Sequence, residues 1–149
     1  MRVFYLTTAE FALSNIALKR IKISRFSDLN DPVELLGIDV NDKSLRQAFR
    51  NTKEELNRNT GLICFSKHWN NPLMWGHYAN KHTGICLGFD VPDHLLEPVL
   101  YRKQLLKMPV DLKTGMPMPN YDIINKLIRT KFFDWKYENE MRLFVKIDH

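Results

Sequence analysis

The sequence predicts an α+β fold: a single globular domain over residues 1–149, with a mostly antiparallel sheet, open to being split, and about three main helices. Two observations predict it. Period-two strand patterns and helical faces of period 3.6 alternate along the whole chain instead of segregating into halves. The chain has 149 residues, 44% of them hydrophobic and 26% charged. That is one domain's length and a core-forming composition, with no repeat, linker or low-complexity stretch to divide it.

The elements follow in order. Arg2 to Thr7 is a strand rich in aromatic and β-branched residues. Thr7-Thr8-Ala9-Glu10 reads as a capping box with Thr7 at the N-cap. The helix after it places Ala9, Ala12, Leu13, Ile16 and Ala17 on one face. Ile21-Lys22-Ile23-Ser24 alternates as a second strand, and Ser27 to Pro32 is a polar loop in which the proline keeps Asn30 and Asp31 from being helical. Asp42 caps a second helix with Leu45, Ala48, Phe49, Thr52 and Leu56 inward. Leu62-Ile63-Cys64-Phe65 is apolar throughout, the pattern of a strand covered on both faces.

The segment from His68 to Tyr78 is a loop leading into a short helix at Pro72. Ile85, Leu87, Phe89 and Val91 alternate along a clear strand, and Val99 to Leu105 is a weaker one. Residues 107–119 carry three prolines and a glycine and form a loop. Asn120 caps a third helix with Ile123, Ile124, Leu127, Ile128 and Phe132 inward. Met141, Leu143, Val145 and Ile147 alternate along the last strand.

Bulk properties exclude several classes. No apolar run approaches the ~18 residues of a membrane span, and the first residues lack a signal-peptide core, so a cytoplasmic protein without a membrane partner is expected. Cys64 and Cys86 lie in apolar runs and read as buried thiols. His77 and His82 are five apart, off one helical face, and no cysteine pair has zinc spacing, so no metal is expected. No glycine-rich phosphate loop exists, which sets aside P-loop and kinase-type phosphotransfer. The net charge of +5 favours an anionic partner, but its lysines and arginines are dispersed as on solvated faces.

Three segments mix aromatic rings with hydrogen-bonding groups. The first holds Tyr5, Thr7, Asn30 and Asp31; a capped helix and an Asx-type turn would account for it equally well. The second is Trp75-Gly76-His77-Tyr78, where a tryptophan and a tyrosine three apart would also suit a core. The third is Trp135-Lys136-Tyr137-Glu138-Asn139-Glu140-Met141-Arg142. If Met141 and Leu143 face inward, Glu140, Arg142 and Phe144 share the other face. They form either a solvated Glu/Arg pair or a carboxylate aimed into a cleft roofed by Trp135 and Tyr137.

Together these segments resemble a known family. Phe4 to Thr8, Ile21 to Ser24 and Leu29 to Glu34 look like the opening of the bacterial family known as domain of unknown function 2971. Leu62 to Ser66, Asn71 to Ala79 and Gly84 to Asp90 look like its middle, and Trp135 to Leu143 like its end. A looser similarity is to ADP-ribosyltransferase domains, which share a first strand, a helix, a second strand and a late strand opening on a glutamate. That similarity implies NAD as co-substrate. Tyr5 or Thr7 would hold the adenosine ribose, Trp75 or Tyr78 would stack on nicotinamide, and Glu140 would be the catalytic carboxylate on the nicotinamide ribose. Arg142 or Arg25 would pair with the diphosphate. The first strand departs from the pattern in offering Tyr5 where His or Arg is usual.

The expected function is therefore nucleotide handling: NAD-dependent ADP-ribosyl transfer or NAD hydrolysis, in a bacterial defence or toxin setting such as phage defence. The cofactor-contacting set is Tyr5, Thr7, Asn30, Asp31, Trp75, His77, Tyr78, Trp135, Tyr137 and Arg142. The alternative is a non-catalytic module that stacks nucleic-acid bases on Trp75, Tyr78, Trp135 and Tyr137. A protein–protein module of the same systems is a third expectation.

Overall fold

The computed structural model describes the chain except residues 30–42, 108, 110, 112, 115–119 and 148–149, and of residues 43–46, 48 and 49 it describes only the helical backbone. Asn30, Asp31 and the expected cap Asp42 lie outside the described residues. The strands are β1 (Arg2–Thr7), β2 (Thr60–Ser66), β3 (Ile85–Asp90), β4 (Glu97–Pro98), β5 (Leu100–Arg102), β6 (Thr130–Phe132) and β7 (Glu140–Lys146). The helices are α1 (Ala9–Ala17), α2 (Lys43–Asn59), α3 (Pro72–Tyr78) and α4 (Tyr121–Leu127). A five-stranded antiparallel sheet has the order β3-β1-β2-β7-β4, and β5 and β6 form a separate parallel pair. The α+β class read from the sequence is the class observed.

The apolar run of β2 makes it a central strand with both faces covered. Leu62 packs with Phe26, Leu106, Ile123 and Leu127 on one side. Ile63 and Phe65 pack with Val3, Leu96 and Met141 on the other. Its neighbour β7 is covered the same way: Met141 and Leu143 join the second cluster, while Phe144 stacks on Phe26 with ring centroids 6.4 Å apart. The face of β7 that carries Glu140 and Arg142 is thus interior, and the reading of a solvated ion pair is set aside.

The ladders differ in length. β2 and β7 are zipped from Thr60 opposite Lys146 to Ser66 opposite Glu140. β1 and β3 pair from Arg2 opposite Asp90 to Thr7 opposite Ile85. Between β1 and β2 there is a single register pair, Phe4 opposite Ser66.

Several local expectations are corrected. Thr8, not Thr7, caps α1, its hydroxyl accepting from Phe11 N at 3.3 Å, while Thr7 stays in the strand and is buried. Of the expected inner face of α1 only Ala12 is buried, and Leu13 and Ile16 are about 60% exposed. Its apolar residues Phe11, Ala12, Leu13 and Ile16 spread over more than one face around Glu10, Ser14 and Asn15, so periodicity picked the wrong stripe, and the small Ala12 is what permits close approach. The strand expected at Ile21–Ser24 shrinks to one bridge, Ser24 with Leu62, before a 3₁₀ turn at Phe26–Asp28. Arg25 anchors that turn to the end of α2 through the carbonyls of Asn57 and Arg58, at 3.0 and 2.6 Å. Asn120 caps α4 as expected, but Phe132 lies in β6 and is exposed rather than inward.

Gly84 is a close-approach position. A Cβ there would meet the Thr7 carbonyl oxygen at 2.2 Å and the Ala79 backbone at 2.8 Å. Only glycine lets the end of α3 rest against the end of β1.

Candidate active site

The parted seam between β1 and β2 opens into a cleft of about 320 Å³. Consecutive residues Phe4 to Thr7 of β1, the α1 cap Thr8, and Cys64 to Ser66 of β2 line it. Side chains alternate across a strand, so lining by both parities means that the cleft runs along the strand edges, where backbone groups are presented as well as side chains. Met74, His77 and Tyr78 of α3 wall one side, and Lys131, Glu138 and Glu140 lie at its base.

Those three charged residues belong to a buried network. The Lys131 ammonium donates to Glu138 Oε2 at 2.6 Å and to Glu140 Oε2 at 2.9 Å. Arg142 Nε donates to Glu140 Oε1 at 2.7 Å, and Arg142 Nη1 to the Ile128 carbonyl at 2.6 Å. The Tyr78 hydroxyl donates to Glu138 Oε1. Lys131, Glu138, Glu140 and Arg142 are each less than 5% exposed. Two carboxylates against two cations are formally balanced, as groups taken this far from water must be.

Local backbone devices place them. Glu138 ends a 3₁₀ turn (Phe133–Glu138), and Asn139, at φ 44° and ψ 50°, reverses the chain into β7. Asparagine tolerates this left-handed conformation better than most residues. Ser66 Oγ donates to the Glu138 carbonyl at 2.6 Å and accepts from His68 N at 3.1 Å, pinning the turn to β2. The Tyr101 hydroxyl accepts from Glu140 N at 2.8 Å, so the small β5–β6 sheet buttresses the start of β7.

The two carboxyls are tuned apart. Burial alone would raise the Glu140 pKa, but the Arg142 guanidinium and the Lys131 ammonium overcome it and hold the group at about 2. Glu138 moves the other way: burial and the neighbouring Glu140 charge raise it against the pull of Lys131. Burial also raises the Tyr78 phenol, keeping it a donor to Glu138. The Cys64 thiol is pushed well above its ordinary value by burial and by Glu140, which makes it a poor nucleophile.

The structure brings Tyr5, Thr7, His77, Tyr78 and Glu140 to one cleft, with Arg142 directly behind Glu140. The Tyr5 ring also packs edge-on against Phe65 at 6.3 Å. Trp135 and Tyr137 do not line the cleft; with His77 they form a ring cluster beside it, at centroid distances of 5.9 to 6.2 Å. Trp75 turns its indole N–H to the Trp69 carbonyl at 2.6 Å, packs against the Leu6, Met74 and Ala79 cluster and does not line the cleft. Arg25 is engaged by α2 and is likewise outside the lining. Sequence reasoning missed Lys131, Glu138, Ser66 and Tyr101 as site residues. The available signals were a lysine inside Thr130-Lys131-Phe132-Phe133 and a second glutamate two residues before Glu140.

Among the described residues no cluster of His, Cys, Asp and Glu could hold a metal ion, and no helix is long and apolar enough to cross a membrane. A family model described as a protein of unknown function, DUF2971, matches residues 74–143. The match runs from Met74 in α3 to Leu143 in β7 and bears out the family resemblance. No curated protein and no solved structure matches the chain.

Proposed function

We propose that the cleft binds NAD and cleaves its nicotinamide–ribose bond, passing ADP-ribose to an acceptor or to water. The observation that carries this reading is the Glu140 carboxylate, hydrogen-bonded by both Lys131 and Arg142 in the lining of a cleft that also holds aromatic rings. As the C–N bond breaks, its electron pair leaves with nicotinamide and positive charge builds on the ribose. A fixed anion stabilises that charge without having to reorganise. Each Glu140 oxygen accepts a hydrogen bond from a cation and the Cys64 thiol also bonds the carboxylate, so a ribose hydroxyl would take a remaining lone pair on the side facing the cleft.

Glu138, with its raised pKa, suits the complementary task of taking the proton from the attacking oxygen or nitrogen as that atom bonds to C1′. The pairing of one permanently charged carboxylate with one proton-exchanging carboxylate is the division of labour this chemistry needs. Tyr78 supplies ring surface for the leaving group, and Tyr5 and Thr7, which also line the cleft, would hold the adenosine ribose. In a bacterial defence or toxin setting, the cellular readout would be loss of NAD.

The test is chromatographic detection of nicotinamide released from NAD by wild type, Glu140→Gln and Glu138→Gln, each checked for folding by circular dichroism. Release by wild type that drops at least a hundredfold in Glu140→Gln is the expected result. If folded wild type releases no nicotinamide, with or without DNA, RNA or protein acceptors, the cleavage reading is wrong and nucleotide binding without turnover replaces it.

A further inference from the structure

The rings beside the cleft form a continuous run. Tyr78, hydrogen-bonded to Glu138, neighbours His77 at 6.2 Å. His77 stacks on Tyr137 at 6.2 Å and 26°, and Trp135 lies 5.9 Å from His77 and 6.0 Å from Tyr137. The run therefore leads from the carboxylate pair out to solvent, where His77 is exposed and Trp135 and Tyr137 are half-buried. On the inner side Tyr137 packs against the buried Leu6, Met74 and Ala79 cluster and the Lys131 ammonium lies 5.1 Å from the Trp135 ring centroid. The ring surface that stays exposed beside the cleft is offered to a planar ligand.

Charge identifies the ligand. Lys103 and Lys136 hold their ammonium groups over the Phe133 ring, at 4.7 and 5.5 Å from its centroid. Phe133 and Lys136 belong to the 3₁₀ turn that carries Trp135 and Tyr137. Both lysines are exposed, and the exposed Asp134 is the one acid on that turn outside the buried network. Stacking rings with cations along the same turn are what a single nucleic-acid strand requires: bases against rings, phosphates against ammonium groups. A duplex hides its base faces and could use only the charges.

We propose that this ridge binds single-stranded nucleic acid, laying an unstacked base on His77, Trp135 and Tyr137 at the cleft mouth. The proposal rests on the cleavage reading only in naming the acceptor: a strand held there is the macromolecule presented to the cleft. The binding surface itself differs from the one expected from sequence, because Trp75 is turned to Trp69 and Tyr78 lies inside the cleft.

The experiment is fluorescence anisotropy of labelled 20-nucleotide DNA and RNA strands and of the matching duplex, without NAD, at two salt concentrations. Wild type should bind the strand more tightly than the duplex. Trp135→Ala and the exposed-site variant His77→Ala should each weaken strand binding about tenfold. The double variant Lys103→Gln/Lys136→Gln should lower the slope of log affinity against log salt by about 1.4 units. That double variant should release nicotinamide from NAD alone at the wild-type rate. Equal binding by wild type and both ring variants, a preference for duplex, or no strand binding at all would each overturn the ridge proposal. Strand binding with no nicotinamide release would instead overturn the cleavage reading and leave the ridge standing.

Discussion

The two seams of β2 are built differently. On one side β2 is zipped to β7 over its whole length, with apolar clusters above and below. On the other it meets β1 at one register pair, Phe4 opposite Ser66, and then parts from it. The zipped seam holds charged groups in fixed positions, since Arg142 lies opposite Cys64 and Glu140 opposite Ser66. The parted seam supplies the space those groups face. Rigidity and access, which conflict within a single ladder, are divided between the two edges of one strand.

The largest break of this arrangement is removal of a cation from the zipped side. Arg142→Leu leaves Glu140 buried with Lys131 as its remaining hydrogen-bonded cation, and is expected to cost about 3–5 kcal/mol in urea unfolding. A loss below 1 kcal/mol would mean that the network contributes no net stability. Next in size is the pH dependence. The folded Glu140 pKa is depressed to about 2, so the stability it contributes is present above the ordinary carboxylate range and is lost as pH falls from there toward 2. The loss is on the order of 3 kcal/mol and should vanish in Glu140→Gln, as measured by unfolding at stepped pH. Glu138 has the opposite sign: its raised folded pKa makes ionisation a cost that grows as pH rises through the carboxylate range, and Glu138→Gln should remove that slope.

At the junction of the two seams, Ser66→Ala removes the donor to the Glu138 carbonyl and the acceptor of His68 N. About 1–2 kcal/mol should be lost by thermal unfolding, with a larger effect on nicotinamide release than on fold. The smallest effect belongs to the parted side. Cys64 lines the cleft, so saturating NAD should slow its alkylation, followed by mass spectrometry, while Cys86, which is outside the lining, keeps its rate. Equal slowing of both would place the ligand elsewhere.

Much of the fold was legible because its signals are local. The apolar run of β2, the proline that starts α3, the Asn120 cap and the alternation of β3 and β7 each specify one element within a few residues. Glu140 was legible for the same reason, as a carboxylate at the start of a strand. What was not legible depends on tertiary meeting. Lys131 is one lysine among many until β6 is brought beneath β7, and nothing around Tyr101 indicates that its hydroxyl receives the Glu140 amide. The exposed side of α1 was misread because its apolar residues, Phe11, Ala12, Leu13 and Ile16, are spread too widely around the helix to mark one face before something is packed against it.

The left-handed turn at Asn139 has a consequence for recognising distant relatives. It makes the separation of Glu138 and Glu140 a fixed step, because one residue more or fewer would swing Glu138 away from Lys131 and Tyr78. A β-branched residue at that position would strain the same step, whereas glycine would relax it. The spacing Glu-Asn-Glu, with asparagine or glycine in the middle and an arginine two residues on, is thus a physical fingerprint for screening sequences too divergent to align.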